Sequence, residues 1–191
     1  MKIIAITSPE VVAEDSCIIG QLVDKSIDAI HLRKPNADID ACRRLLSELT
    51  EEQRAKIVIH DFPELYFEYS LKGIHVNKNV ATLPCGYSGF RTRSCHSFDE
   101  IARYKHEYDY LFLSPVFDSI SKVGYRSGFS DEALAMASAA GIIDDKVVAL
   151  GGVTFDKIAY LKKLKFGGAA MIGAIYSIDA LKHVRNVASY K

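Results

Sequence analysis

The sequence carries no surplus of charge: 24 Lys and Arg balance 24 Asp and Glu over 191 residues. That leaves no electrostatic case for nucleic acid or for an anionic membrane surface as a partner. It has no CxxC pair either. Its four cysteines, Cys17, Cys42, Cys85 and Cys95, are scattered, a pattern that suits free thiols in a reducing compartment. No run approaches the roughly 18 consecutive apolar residues of a membrane span. The apolar part of MKIIAITSPE is too short for a signal peptide and reads as a first strand. The expected location is therefore cytoplasmic. No break in composition marks a second domain, and 49% apolar residues suffice for one sizeable core, so residues 1–191 are expected to form a single domain.

What the chain does have is alternation. Short apolar runs rich in β-branched residues recur, and most are followed by amphipathic stretches. KIIAIT (2–7) precedes 16–26. DAIHLR (28–33) precedes 38–53, where Ile39, Cys42, Leu45, Leu46 and Leu49 fall at helical spacing. KIVIHD (56–61) precedes PELYFEYSL, with Pro63 suited to a helix start. GIHV (73–76) is followed by NKNVATLPCGYSG, too short and too rich in turn residues for a full helix. FRTRSC (90–95) leads to FDEIARYKHEY, with Ser97 as N-cap and Glu100 three residues on. YLFLSPV (110–116) leads through a small, polar loop around Lys122 to SDEALAMASAAG (130–141). KVVALGGV (146–153) precedes TFDKIAYLKKLK, and GAAMIG (168–173) precedes IYSIDALKHVRNVAS.

Continuous apolar runs are strands covered on both faces, which predicts a parallel sheet. An eight-stranded barrel and an open doubly wound sheet both fit. A doubly wound nucleotide-binding sheet carries its Gly-rich turn after the first strand, where this chain has TSPE. The double glycine, Gly151-Gly152, follows the seventh strand instead, and phosphate sites after strands seven and eight are a barrel habit. The expected fold is α/β, a (β/α)8 TIM barrel with a short or missing helix after strand 4, although 191 residues lie below the usual range of roughly 200 or more.

In such a barrel the active site lies at the C-terminal strand ends. Those ends carry His31 and Arg33, then His60 and Asp61, then His75 with Asn77 and Lys78. Arg91, Arg93, Ser94 and His96 come next, followed by Ser114, Ser119, Ser121 and Lys122, and finally Gly151-Gly152 and Gly173. Four histidines, His31, His60, His75 and His96, are expected to cluster, and His106 and His183 to lie on helix surfaces. Buried polar groups are costly without partners, so this ring implies a polar cleft. Each member also has a plainer reading. His75 can be a hydrogen-bonded core residue, and Arg33-Lys34 a solvated strand end. Lys122 can be an ordinary exposed lysine, and Asp61 a cap for the helix near Pro63. Gly151-Gly152 can serve only to turn the chain, or can offer backbone amides to an anion. Together they describe a cleft with several cations and phosphate-binding turns.

Six segments resemble the thiamin phosphate synthase and TenI superfamily of (β/α)8 barrels: AIHLRKP, IVIHDFPEL, LKGIHVNKNVA, RTRSCHSFDEI, YLFLSPVFDSISK and VVALGGVTFDKI. A double glycine alone recurs in other phosphate-binding barrels, but six motifs in order and spacing are specific. The resemblance implies a transferase of thiamin biosynthesis that joins hydroxymethylpyrimidine diphosphate to thiazole phosphate and releases pyrophosphate. Lys122 and Arg33 would then be the catalytic cations on the departing diphosphate, with Ser119 and Ser121 as hydroxyl donors. Gly151, Gly152 and Gly173 would hold the thiazole phosphate. Ser94, His31, His60, His75, Lys78 and His96 complete the expected substrate-binding set. Mg²⁺ is the implied cofactor, with Asp61 as its ligand, and the implied assembly is a homo-oligomer, a dimer.

The sequence departs from the synthase pattern at several of these places. His60 replaces the Asn of an Asn-Asp pair, Val80 a carboxylate, Lys78 a Gln, Pro35 a Lys and His31 a Gln. The TenI branch includes a thiazole tautomerase whose catalytic histidine falls in the sixth-strand loop, at the place of Pro115 here. A tautomerase or other thiazole-phosphate enzyme, using a clustered histidine for acid-base chemistry, is one alternative. A non-catalytic binder of thiamin phosphates is another. The altered metal position favours the first alternative, whereas the retained Lys122, Ser119, Ser121 and Arg33 favour the synthase over a binder.

Overall fold

Strands form at the eight apolar runs and close into one barrel in sequence order, every neighbouring pair parallel. They are β1 (Lys2–Ile6), β2 (Ala29–Leu32), β3 (Ile57–Ile59), β4 (Gly73–Val76), β5 (Phe90–Cys95), β6 (Tyr110–Leu113), β7 (Val147–Ala149) and β8 (Gly168–Met171). The computed structural model describes residues 1–118, 128–183 and 187–190. Helices α1 (Asp15–Asp24), α2 (Ile39–Ser47), α3 (Glu51–Arg54), α4 (Leu65–Tyr69), α5 (Phe98–Tyr104), α6 (Asp131–Ala139), α7 (Ile158–Lys163) and α8 (Ile178–His183) lie between or after the strands. None of them is long and apolar enough to cross a membrane.

Helix starts follow local chemistry. The hydroxyls of Ser97 and Ser130 accept the amides of Glu100 and Ala133 and begin α5 and α6. The amphipathic stretch 38–53, expected as one helix, is two. Thr50 and Gln53 form a reciprocal capping box that starts α3 and so interrupts the run after α2. Between β4 and β5 there is no helix, as the turn-rich sequence predicts. Tyr87 stands in for it: its hydroxyl accepts the Ile74 amide at 2.9 Å and donates to the Phe90 carbonyl, stitching the loop to both strands.

Two apolar layers result, because alternate strand residues face opposite ways. Ile3, Ala5, Ile30, Leu32, Ile57, Ile59, Leu111 and Leu113 pack outward under the helices. Ile4, Ile6, Ala29, Val58, Tyr110, Phe112, Val148 and Ala170 fill the barrel interior. Where this inner parity reaches the C-terminal rim, apolar residues give way to polar ones. That change of chemistry marks the site.

Candidate active site

His31, His60 and His75 carry the inward parity upward from Ala29, Val58 and Gly73, and all three are buried. His31 Nδ1 lies 2.8 Å from His60 Nε2, and the His31 Nε2 is hydrogen-bonded to the Tyr110 hydroxyl. His75 stacks on His60 with ring centroids 4.0 Å apart. Its Nδ1 is 2.8 Å from Thr92 Oγ1 and its Nε2 is 3.2 Å from Ser94 Oγ. Burial is the main cause that holds all three rings neutral, because charging a desolvated imidazole is costly. His75 is lowered to about 3, with Arg33 and Arg93 adding repulsion. His31 and His60 are lowered well below the usual histidine range, each further depressed by its neighbouring histidines. The cleft floor is thus polar and uncharged. Tyr110 and Thr92 were not singled out in the sequence. Their signal was parity: both share the inward face of their strands with residues that were.

Arg33 follows β2 and keeps an exposed guanidinium whose charge is felt at His60 and His75. Its neighbour Lys34 corrects the reading of a solvated strand end. Lys34 is buried, with Nζ 2.7 and 2.8 Å from the two carboxylate oxygens of Asp15 and 2.7 Å from the Glu10 carbonyl. Asp15 also accepts the Tyr176 hydroxyl at 2.7 Å and the Val12 amide at 2.9 Å. This cluster ties the loops after β1, β2 and β8 together at the mouth. No sequence spacing announces it, since its three side chains are far apart along the chain.

The double glycine after β7 turns sharply, with φ +93° at Gly151 and +61° at Gly152, a region that side chains rarely enter. Space forbids one as well. A Cβ on Gly152 would lie 2.3 Å from the Asp118 carbonyl oxygen, and one on Gly151 would lie 2.8 Å from Pro115 Cα. Gly152→Ala is therefore expected to lower stability by about 2 kcal/mol or more, read as a shift in urea midpoint, and an unchanged midpoint would refute this account of the turn. Among the described residues no backbone acceptor takes the amides of Gly151, Gly152 or Gly173. Gly173 itself is exposed at the turn after β8. Lys157, which the sequence reading did not single out, donates from Nζ to the Gly152 carbonyl and brings a cation to this turn.

Three of the four rim histidines converge, not four. His96 stands exposed at the end of β5, its Nδ1 2.8 Å from the Ser114 carbonyl and its amide held by Glu100. Arg93 points outward over the Tyr104 ring, 4.2 Å from its centroid, and Lys78 is exposed in the loop after β4. Asp61 is half-buried, and its Oδ1 accepts Asn79 Nδ2 at 3.0 Å. The helix near Pro63 begins without a side-chain cap, so Asp61 does not serve as one. Ser119, Ser121 and Lys122 lie outside the described residues.

The family model for thiamine monophosphate synthase matches residues 3–175. The chain belongs to that family. The thiamine phosphate pyrophosphorylase of Bacteroides thetaiotaomicron is 34% identical, with 100% of this chain and 97% of that one aligned at a TM-score of 0.89. The Pyrococcus furiosus thiamine phosphate pyrophosphorylase is 19% identical over 99% of this chain and 94% of that one, at a TM-score of 0.77. A 3-hexulose-6-phosphate synthase, 16% identical over 100% and 99% of the two chains at 0.64, shares the fold. No match is found among curated proteins.

The family implies Mg²⁺, a hard ion that takes oxygen ligands in a near-octahedral set. Here the position of the expected second carboxylate is Val80, which is buried in the core, so of the expected carboxylate pair Asp61 alone is present. One carboxylate does not by itself make up the oxygen set of a resident Mg²⁺ site.

Proposed function

We propose that this protein is a thiamin phosphate synthase, a transferase that joins a pyrimidine methyl diphosphate to a thiazole phosphate with release of pyrophosphate. The observation that carries the reading is a whole-chain alignment, at 34% identity, with a thiamine phosphate pyrophosphorylase. In the reaction the bond from the methylene carbon to the diphosphate oxygen breaks and its electron pair leaves with pyrophosphate. The thiazole nitrogen then closes on the methylene carbon. No side-chain nucleophile is needed. Charge builds on the leaving group, so cations fixed near it lower the barrier. Arg33 supplies one from the end of β2, and Lys122 is proposed as the other, with Ser119 and Ser121 donating hydrogen bonds. The amides at Gly151, Gly152 and Gly173, with Lys157 behind the turn, suit the phosphate of the second substrate. The neutral His31, His60 and His75 floor accommodates a heteroaromatic ring without adding a charge.

Purified protein supplied with both substrates and Mg²⁺ is expected to form thiamin phosphate. Arg33→Ala and Lys122→Ala should each lower kcat on the order of 10²-fold, and Arg33→Ala should leave the unfolding midpoint nearly unchanged, since its exposed side chain contributes under about 0.5 kcal/mol. No product from the wild type, or wild-type rates in both variants, would reject the reading. Interconversion of thiazole tautomers in place of coupling would support the tautomerase alternative, despite Pro115 at the position of its catalytic histidine.

A further inference from the structure

Besides offering a face to a substrate ring, the three floor histidines bring ligand-capable nitrogens together. One ligand-capable nitrogen from each of His31, His60 and His75 lies within 4.8 Å of the other two, and all three rings are buried. Three apolar residues would fill this volume without the cost of burying polar atoms, so their presence calls for an occupant or a role. Burial also keeps the rings uncharged, and neutral imidazole is the form that binds metal.

Two of the three remaining ring nitrogens are occupied in the way metal-bound histidines require. With His75 Nε2 turned to the centre, its Nδ1 is fixed by Thr92 Oγ1 at 2.8 Å. With His31 Nδ1 turned to the centre, its Nε2 is fixed by the Tyr110 hydroxyl. Such outer partners set the tautomer and aim the lone pair. His31 Nδ1 and His60 Nε2 stand 2.8 Å apart, whereas two nitrogens on one tetrahedral ion at about 2.05 Å would stand about 3.3 Å apart. Shifting those two rings by a few tenths of an ångström each opens that gap, and His60 must also tilt out of its stack on His75 for both lone pairs to meet one ion. The proton now shared in it need not leave the protein. Carried by His31 it moves to Nε2, which then donates to the Tyr110 oxygen; carried by His60 it moves to Nδ1.

We propose that His31, His60 and His75 form a binding site for a divalent transition-metal ion, of the Zn²⁺ class, inside the C-terminal mouth of the barrel. Three neutral nitrogens select against Mg²⁺, which prefers oxygen, and for ions that favour imidazole. Three protein ligands leave a fourth position open, and the Ser94 hydroxyl, 3.2 Å from His75 Nε2, must turn off that nitrogen when the ion binds. The site does not depend on the synthase reading, because its ligands are defined by geometry alone.

The test is equilibrium dialysis of the full-length, chelator-treated protein against Zn²⁺ and Co²⁺, with metal content and visible spectra as readouts. One ion per chain is expected, unaffected by millimolar Mg²⁺, with the intense visible bands of four-coordinate cobalt. His60→Ala and His75→Ala, checked for folding by circular dichroism, should abolish the bands. His106→Ala, on an exposed histidine, should keep them. Thr92→Val keeps every ligand and should weaken binding about 10- to 100-fold. The proposal is overturned by no stoichiometric uptake in the wild type, by a weak six-coordinate cobalt spectrum, or by uptake that survives both ligand substitutions.

Discussion

Asp15→Ala is expected to cost about 3–5 kcal/mol, because it leaves Lys34 as an uncompensated charge away from water. Both partners have side chains that are almost wholly inaccessible, at 1% and 0%. Asp15 takes four hydrogen bonds, two from Lys34 and one each from Tyr176 and the Val12 amide. Burial already lowers the Lys34 ammonium more than Asp15 and its other partners raise it, so removing Asp15 leaves desolvation unopposed. The ammonium would deprotonate, or the loops after β1, β2 and β8 would open to admit water. Lys34→Met in the Asp15→Ala background removes the orphaned charge and should recover most of the loss. Urea unfolding of the two variants checks both numbers. A single variant as stable as the wild type would mean the pair is solvated in the folded protein.

The second large effect is on acid stability. The folded barrel keeps His31, His60 and His75 neutral, while the unfolded chain titrates them near 6.5. Below that pH the unfolded state binds more protons, so stability falls as pH falls. The contribution is fully present above about 6.5 and is lost towards the folded pKa, about 3 for His75. At pH 5, His75 alone should lower stability by about 2 kcal/mol relative to pH 7.5. His31 and His60 shift in the same direction and add to the loss. Against a typical total of about 5–15 kcal/mol, the metal-free protein should lose much of its stability by pH 5, where most carboxylates are still ionised. His75→Phe should flatten the slope by about 1.4 kcal/mol per pH unit. A wild-type thermal midpoint that stays level from pH 7.5 to 5 would mean these histidines are accessible to protons in the folded state.

Much of the barrel could be read directly from the chain. Eight apolar runs bounded by turn residues predict strands covered on both faces, and the observed strands lie within those runs. Local rules also located the caps at Ser97 and Ser130 and the missing helix after β4, because capping and turn chemistry act within a few residues. They failed once where two local signals competed: the helical periodicity of 38–53 ran on past the Thr50 capping box that divides it.

The site was legible as a set of strand ends but not as an arrangement. Sequence alone placed His31, His60, His75 and His96 at the rim. Parity then decided that the first three turn inward to meet, while His96, just past the end of β5, turns out towards Ser114. Arg33 and Lys34 are adjacent cations in the sequence, yet one is exposed and the other is buried against Asp15, 19 residues earlier. Lys157 entered the site only because the turn at Gly151-Gly152 brings the Gly152 carbonyl to its ammonium. Short-range preferences thus determined which segments are strands and helices. Only closure of the barrel, which brings residues distant in the chain within a few ångströms, decided which polar groups face each other, lose their water and change their charge.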